Sequence, residues 1–96
     1  MKAYETIFVL NPDMEKEAMD AIINNVKSVI ETAGEVKGVD EWGKRKLAYE
    51  IDGQAEGEYT LIDFHADPAS IEELNRVLRI TDGVMRHMIV ARADRD

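Results

Sequence analysis

Cysteine is absent from the 96-residue chain. That excludes a disulfide framework, a thiolate metal site and a cysteine nucleophile. Histidine is limited to His65 and His87, and serine to Ser28 and Ser70, which leaves little material for nucleophilic catalysis. No apolar run approaches the roughly 20 residues needed to span a bilayer. No basic-then-apolar leader opens the chain, so nothing marks it for secretion and a cytoplasmic location is expected. Phosphate-cradling motifs are missing too: there is no G-x-x-x-x-G-K-S/T and no G-x-G-x-x-G, and Gly34, Gly38 and Gly43 are spaced too loosely to replace them. Basic residues are the minority, 12 against 20 acidic ones, for a net charge of −8. Taken alone, that balance argues against a nucleic-acid binder, because phosphate affinity comes from Lys and Arg.

What is present is a chain that is 45% hydrophobic and 33% charged, ordinary for a soluble globular domain. Its length leaves no room for a second core, so one domain spanning residues 1–96 is expected. The charge is unevenly spread. Residues 13–35 carry net −4, whereas Lys44, Arg45 and Lys46 lie in a stretch, Trp42 to Tyr49, with no acid. From Arg76 to Arg92, the four arginines Arg76, Arg79, Arg86 and Arg92 stand against Asp82 alone, a net +3. The molecule is therefore expected to have a basic side.

Periodicity gives the elements. Tyr4–Leu10 alternates as a strand stopped by Asn11-Pro12-Asp13. Asp13 or Asn11 is expected to cap a helix whose stripe is Ala18, Ile22, Val26, Val29, Ile30 and Ala33, with Gly34 as its C′ residue. Val36 and Val39 form half a strand, and Gly38 and Gly43 suggest bulges or bends. Leu47, Tyr49 and Ile51 alternate as a half-buried strand. Gly53 and Gly57 bracket a polar loop, and Glu58–Ala66 forms the next strand of a hairpin. Asp67 as cap with Pro68 in the first turn opens a second helix, or Ser70 and Glu73 form a capping box. Its apolar face is Ile71, Leu74, Val77 and Leu78. Asp82-Gly83 stops it, Val84–Arg92 is the last strand, and Ala93–Asp96 is a polar tail.

The order βαββαβ predicts an α+β, ferredoxin-like fold: a four-stranded antiparallel sheet with two helices on one face. The other face is left open, exposing Ile7, Val9, Leu61, Met88 and Val90 with Arg86 and Arg92 at one edge. An apolar surface of that kind marks an interaction site. His65 and His87 fall on strands that are not neighbours, and His65-Ala66-Asp67 alone is a weak metal signal, so no metal, cofactor or small-molecule ligand is expected. The exposed carboxylate pairs are solvated charges, and no enzymatic activity is expected. Glu58–Phe64 does not match the aromatic run by which RNA-recognition modules of this fold stack bases.

The richest stretch is Trp42-Gly43-Lys44-Arg45-Lys46-Leu47-Ala48-Tyr49-Glu50-Ile51. Three cations between two aromatics suit a phosphate contact with stacking nearby. Gly43–Ile51 closely resembles the signature of the bacterial small-subunit ribosomal protein six family. Met1–Leu10, Asn11-Pro12-Asp13, Gly57-Glu58-Tyr59, Glu73–Arg76 and Val84–His87 resemble that family in the same order. Lys46 stands where the family usually has Arg, which keeps the charge but loses the planar fork. Asp52 stands where it often has a basic or small residue, which makes that strand end less attractive to phosphate.

The resemblance implies a structural constituent of the small ribosomal subunit. It would bind the central domain of the small-subunit rRNA together with ribosomal protein eighteen, and a basic protein partner removes the need for a basic chain. The expected RNA contacts are Lys2, Tyr4, Lys44, Arg45, Lys46, Arg79, Arg86 and Arg92. Strands two and four are the expected edges, so no single narrow patch holds these cations, and binding should be weak alone and cooperative with the partner. A different class stays open on the residues: a small acidic homo-oligomeric ferredoxin-like domain, sensor or enzyme, that self-associates through the open face.

Overall fold

The structure, a computed structural model, describes residues 1–51 and 53–95. The expectation attached to Asp52 lies outside the described residues, as does the final residue of the tail, Asp96. Four strands, β1 (Lys2–Leu10), β2 (Gly34–Ile51), β3 (Gln54–Ala66) and β4 (Val84–Ala91), form one sheet in the order β2-β3-β1-β4. All three neighbouring pairs are antiparallel. Helix α1 (Lys16–Glu31) joins β1 to β2, and α2 (Ile71–Ile80) joins β3 to β4. The ferredoxin-like topology is the one the sequence predicts.

Alternation sets the two faces of the sheet. Phe8 and Leu10 on β1 and Ile62, Phe64 and Ala66 on β3 are buried with Ile22, Ile23, Val26 and Ile30 of α1 and Leu74 and Leu78 of α2. Both helices therefore cover one face. The buried Thr6 hydroxyl on that face donates to the Met88 carbonyl of β4 at 3.0 Å, so the interior carries no orphaned polar side-chain atom among the described residues.

The helix ends differ from the sequence expectation. The Asn11 side chain accepts from the Asp13 N–H at 2.9 Å and closes a turn of its own. Helix α1 begins later, with Glu15 at the N-cap making no side-chain cap bond. Ala18, placed in the stripe by spacing, is exposed because it lies in the first turn beyond the reach of the sheet. Gly34 is the first residue of β2 rather than a C′ residue, since the helix closes at Thr32. Gly34 lacks a side chain for another reason: a Cβ there would overlap the His65 carbonyl oxygen of β3. At α2 the first alternative is realised. Asp67 accepts from the Ala69 N–H at 3.0 Å over a 3-10 turn, Pro68–Ser70, and Ser70 makes no cap bond.

Strand β2 is continuous over 18 residues. Register shifts fall at Val36/Gly38 and Glu41/Gly43, where glycine suggested bulges. Gly43 has φ +81°, which a bulge residue needs and other residues adopt at a cost. A larger shift follows: Lys46 pairs with Glu56 and Ile51 with Gln54, so Leu47–Glu50 stand against Ala55 alone. Gly57, expected in the loop, is instead a buried residue within β3. A Cβ there would overlap Val9 Cγ1 of β1.

The face away from the helices is open only in its middle, a correction to the sequence expectation. Val9 is buried where the β2–β3 hairpin folds down at Gly57, and Ala3 where the C-terminal 3-10 turn, Ala93–Arg95, returns across β1. The core assignment has a direct test. Val26→Ala and Ile30→Ala should each destabilise the fold by about 1–4 kcal/mol, while Ala18→Ser should change it by less than about 0.5 kcal/mol, measured as denaturant midpoints.

Candidate nucleic-acid interface

Register gathers one row of residues across all four strands. Gly43 pairs with Tyr59, Tyr59 with Val9, and Val9 with Arg86. Trp42, beside Gly43, stacks on Tyr59 with ring centroids 6.1 Å apart and planes at 11°. Arg45 lies over the Trp42 ring at 5.5 Å. On the far edge, Arg86 lies over the Tyr49 ring at 5.6 Å. Trp42, Tyr59 and Arg86 together line a depression of about 220 Å³ floored by Ile7, Val9 and Met88. Arg86 lines this depression and Arg45 adjoins it through Trp42, whereas Lys44, Lys46 and Arg92 are not among its lining residues. Trp42, Tyr49 and Tyr59 were not singled out as contacts by sequence reasoning, although the cation–aromatic interleaving at Trp42–Tyr49 was visible.

The other expected contacts divide. Lys44 points into a separate cleft on the helix side, of about 310 Å³, beside Lys16, Asp20, Glu41 and Glu58. The acid-free run of the sequence is not acid-free in space, because Lys44 pairs in register with Glu58 and Lys46 with Glu56. Arg45 sits opposite Gly57 and has no acid across the ladder. Arg79 ends α2 on the helix side of β4, near His87. Lys2, Tyr4 and Arg92 lie at the other end of the sheet, about 20 Å from the Val9 row at about 3.3 Å per residue. The Tyr4 ring is turned to the helix side and stacks on Phe64 at 5.6 Å.

Arg92 belongs to a closed ion-pair group. Its guanidinium donates to Glu5 at 2.8 Å and to Asp94 at 3.3 Å, and its backbone N–H donates to the Ala3 carbonyl. Arg95 pairs with Asp63 and, at 3.8 Å, with Glu5. Glu5 and Asp63 are register partners on the open face, like charges set directly opposite each other. The two arginines neutralise that pair, so the expected polar tail is a clip. The Arg92 hydrogen bond holds the Asp94 carboxyl below the usual carboxylate range.

The six arginines therefore fall into distinct kinds. Arg76, Arg92 and Arg95 spend their N–H donors on carboxylates. The guanidinium carbons of Arg45 and Arg86 lie over aromatic rings, and among the described residues these two arginines make no hydrogen bond or ion pair. A guanidinium held by a ring rather than by a carboxylate keeps its N–H donors free for a phosphate. Lys44, Lys46 and Arg79 likewise form no ion pair among the described residues. No group of three or more His, Asp or Glu suited to a metal ion occurs among those residues, and no helix among them is long and apolar enough to cross a membrane.

The model of the family described as Ribosomal protein S6 matches residues 3–91. The chain belongs to the ribosomal protein S6 family. Its similarity to small ribosomal subunit protein bS6 of Clostridium beijerinckii is 56% identity over 91 residues, covering 94% of this chain and 96% of that protein. The bS6 protein of Clostridium novyi is 57% identical with the same coverage. The crystal structure of 30S ribosomal protein S6 from Thermotoga maritima superposes with a TM-score of 0.92 at 34% identity, over 97% of this chain and 89% of that one. The C-terminal domain of the MgtC protein from Mycobacterium tuberculosis, at 17% identity and a TM-score of 0.60, shares the fold alone. The relatives are named as proteins of the small ribosomal subunit and not as enzymes.

His87 offers a pH test of this end of the sheet. Its Nε2 lies 2.8 Å from the Asn75 Oδ1 acceptor of α2, an arrangement a neutral ring with its proton on Nε2 satisfies. Burial pushes its pKa down, and the Arg79 charge adds to that. The folded state thus binds a proton less readily than the unfolded chain. The resulting stability is full above the unfolded value of about 6.5 and is lost as the pH falls below it, by at most about 1.4 kcal/mol per pH unit. His87→Gln should flatten that segment of the stability profile, read from denaturant midpoints between about pH 7.5 and 5.

Proposed function

We propose that this chain is a structural constituent of the small ribosomal subunit that binds the central domain of the small-subunit rRNA cooperatively with ribosomal protein eighteen. Family membership and the names of the relatives support the ribosomal setting. The observation that supports the RNA contact is the pair Arg45 and Arg86, lying over Trp42 and Tyr49 with no hydrogen bond or ion pair among the described residues, Arg86 lining the depression and Arg45 adjoining it through Trp42. Lys44, Lys46 and Arg79 add charge around that end of the sheet. Lys2 would contribute only at the opposite end, where Tyr4 is engaged with Phe64 and Arg92 with carboxylates.

Few free cations on a chain of net −8 give weak attraction to RNA on their own. A basic protein partner adds charge, and the apolar middle of the open face, with Met88 exposed, offers it contact area. The pair should therefore bind far more tightly than either protein alone. Filter binding of a central-domain rRNA fragment, with and without ribosomal protein eighteen and across a salt series, tests this. Arg45→Ala and Arg86→Ala should each weaken the ternary complex and lower its salt slope by about one. Neither should shift the thermal midpoint appreciably, because exposed cations add little to stability. Tight, salt-insensitive binding by the chain alone would overturn the cooperative reading, and wild-type behaviour of both variants would overturn the site.

A further inference from the structure

We infer that Tyr49 is a positioning residue for Arg86, a contact from one edge of the sheet to the other that holds the guanidinium ready for phosphate. This rests on the proposed RNA contact. In a flat sheet the two residues could not meet. Their strands, β2 and β4, are separated by β3 and β1, about 14 Å at about 4.8 Å per strand spacing. Two features close that gap. Gly57 lets the hairpin fold onto Val9, with Leu47 Cδ2 about 3.5 Å from where a Cβ would sit. The bulge that sets Leu47–Glu50 against Ala55 then frees Tyr49 from the ladder. The ring crosses the open face and meets Arg86 at 5.6 Å while remaining 61% exposed.

Packing does not explain a ring so exposed. Its defined contact is the Arg86 guanidinium, and a ring contact does something a carboxylate would not. A carboxylate fixes an arginine by occupying its N–H groups, as Glu5 does to Arg92 at 2.8 Å. A ring attracts the cation without occupying its N–H groups. Without the ring, Arg86 on an edge strand would have to give up its rotamer freedom on binding, which weakens the contact. Trp42 stands in the same relation to Arg45, but within one strand, whereas the Tyr49–Arg86 contact joins the two edges.

Filter binding of the central-domain rRNA fragment with ribosomal protein eighteen present reads this in four variants. Tyr49→Leu keeps an apolar cover without a π face, and should weaken the complex about two- to fivefold with the thermal midpoint unchanged. Tyr49→Phe keeps the face and should bind as the wild type. In an Arg86→Ala background, Tyr49→Leu should add no further loss. The positioning role is overturned if Tyr49→Leu costs the same in both backgrounds, or if Tyr49→Phe is as weak as Tyr49→Leu. It is also overturned if Tyr49→Leu is neutral while Arg86→Ala weakens binding, and then the RNA site stands without it. A neutral Arg86→Ala fails the RNA contact itself, and the positioning role with it.

Discussion

Val9 packs against bare backbone at Gly57, and the cationic end of the molecule is organised around that contact. A side chain at position 57 would hold the hairpin off β1 by the width of a methyl group. Leu47 would then lose its seat, and the Leu47–Glu50 bulge would project into solvent instead of over the sheet. The depression between Trp42, Tyr59 and Arg86 needs the same closeness, because its floor includes Val9 itself. A shape that brings together residues from opposite edges thus follows from a side chain that is missing.

Electrostatics then sorts the cations by what they touch. Arginines near carboxylates are consumed in holding the fold together, as at Glu5, Asp63 and Asp94. Arginines near aromatic rings are held without being consumed. An acidic protein can in this way keep a small basic surface, even with Asp40 accepting from Trp42 Nε1 at 3.0 Å beside it. Lys44 and Lys46 fall between the two kinds, because Glu58 and Glu56 face them across the ladder and reduce the local field.

Much of this was legible in the sequence. Alternation at Thr6-Phe8-Leu10 and Thr60-Ile62-Phe64-Ala66, and the three-four spacing from Ile22 to Ile30, are local consequences of burying one face, so they survive without knowledge of partners. The order of elements fixed the sheet, and Gly38 and Gly43 marked bulges. Other features depend on register, which residues far apart decide together. The acids opposite Lys44 and Lys46, the close approach of Gly34 to His65 and the crossing of Tyr49 to Arg86 are properties of the ladder and cannot be read along one strand. The expected α1 cap failed for a nearer reason. Asn11 has two uses for its side-chain oxygen, and closing its own turn won over capping the helix. The C-terminal clip is not visible along the sequence, because Arg92, at the end of the last strand, and Arg95, in the polar tail, meet their partners only when β1 and β3 bring Glu5 and Asp63 side by side.

That clip has a kinetic meaning. Glu5 and Arg92 are 87 residues apart in the chain, so their ion pair closes a loop of nearly the whole protein. A contact of such sequence separation is expensive to form early, when most of the chain is still free, and gains its full value only after β4 has zipped onto β1. Interactions made after the folding barrier leave the folding rate almost untouched and slow escape from the native state. The last turn of the chain therefore acts as a brake on unfolding, joining the first strand to the end of the last so that neither edge of the ladder frays from its free end.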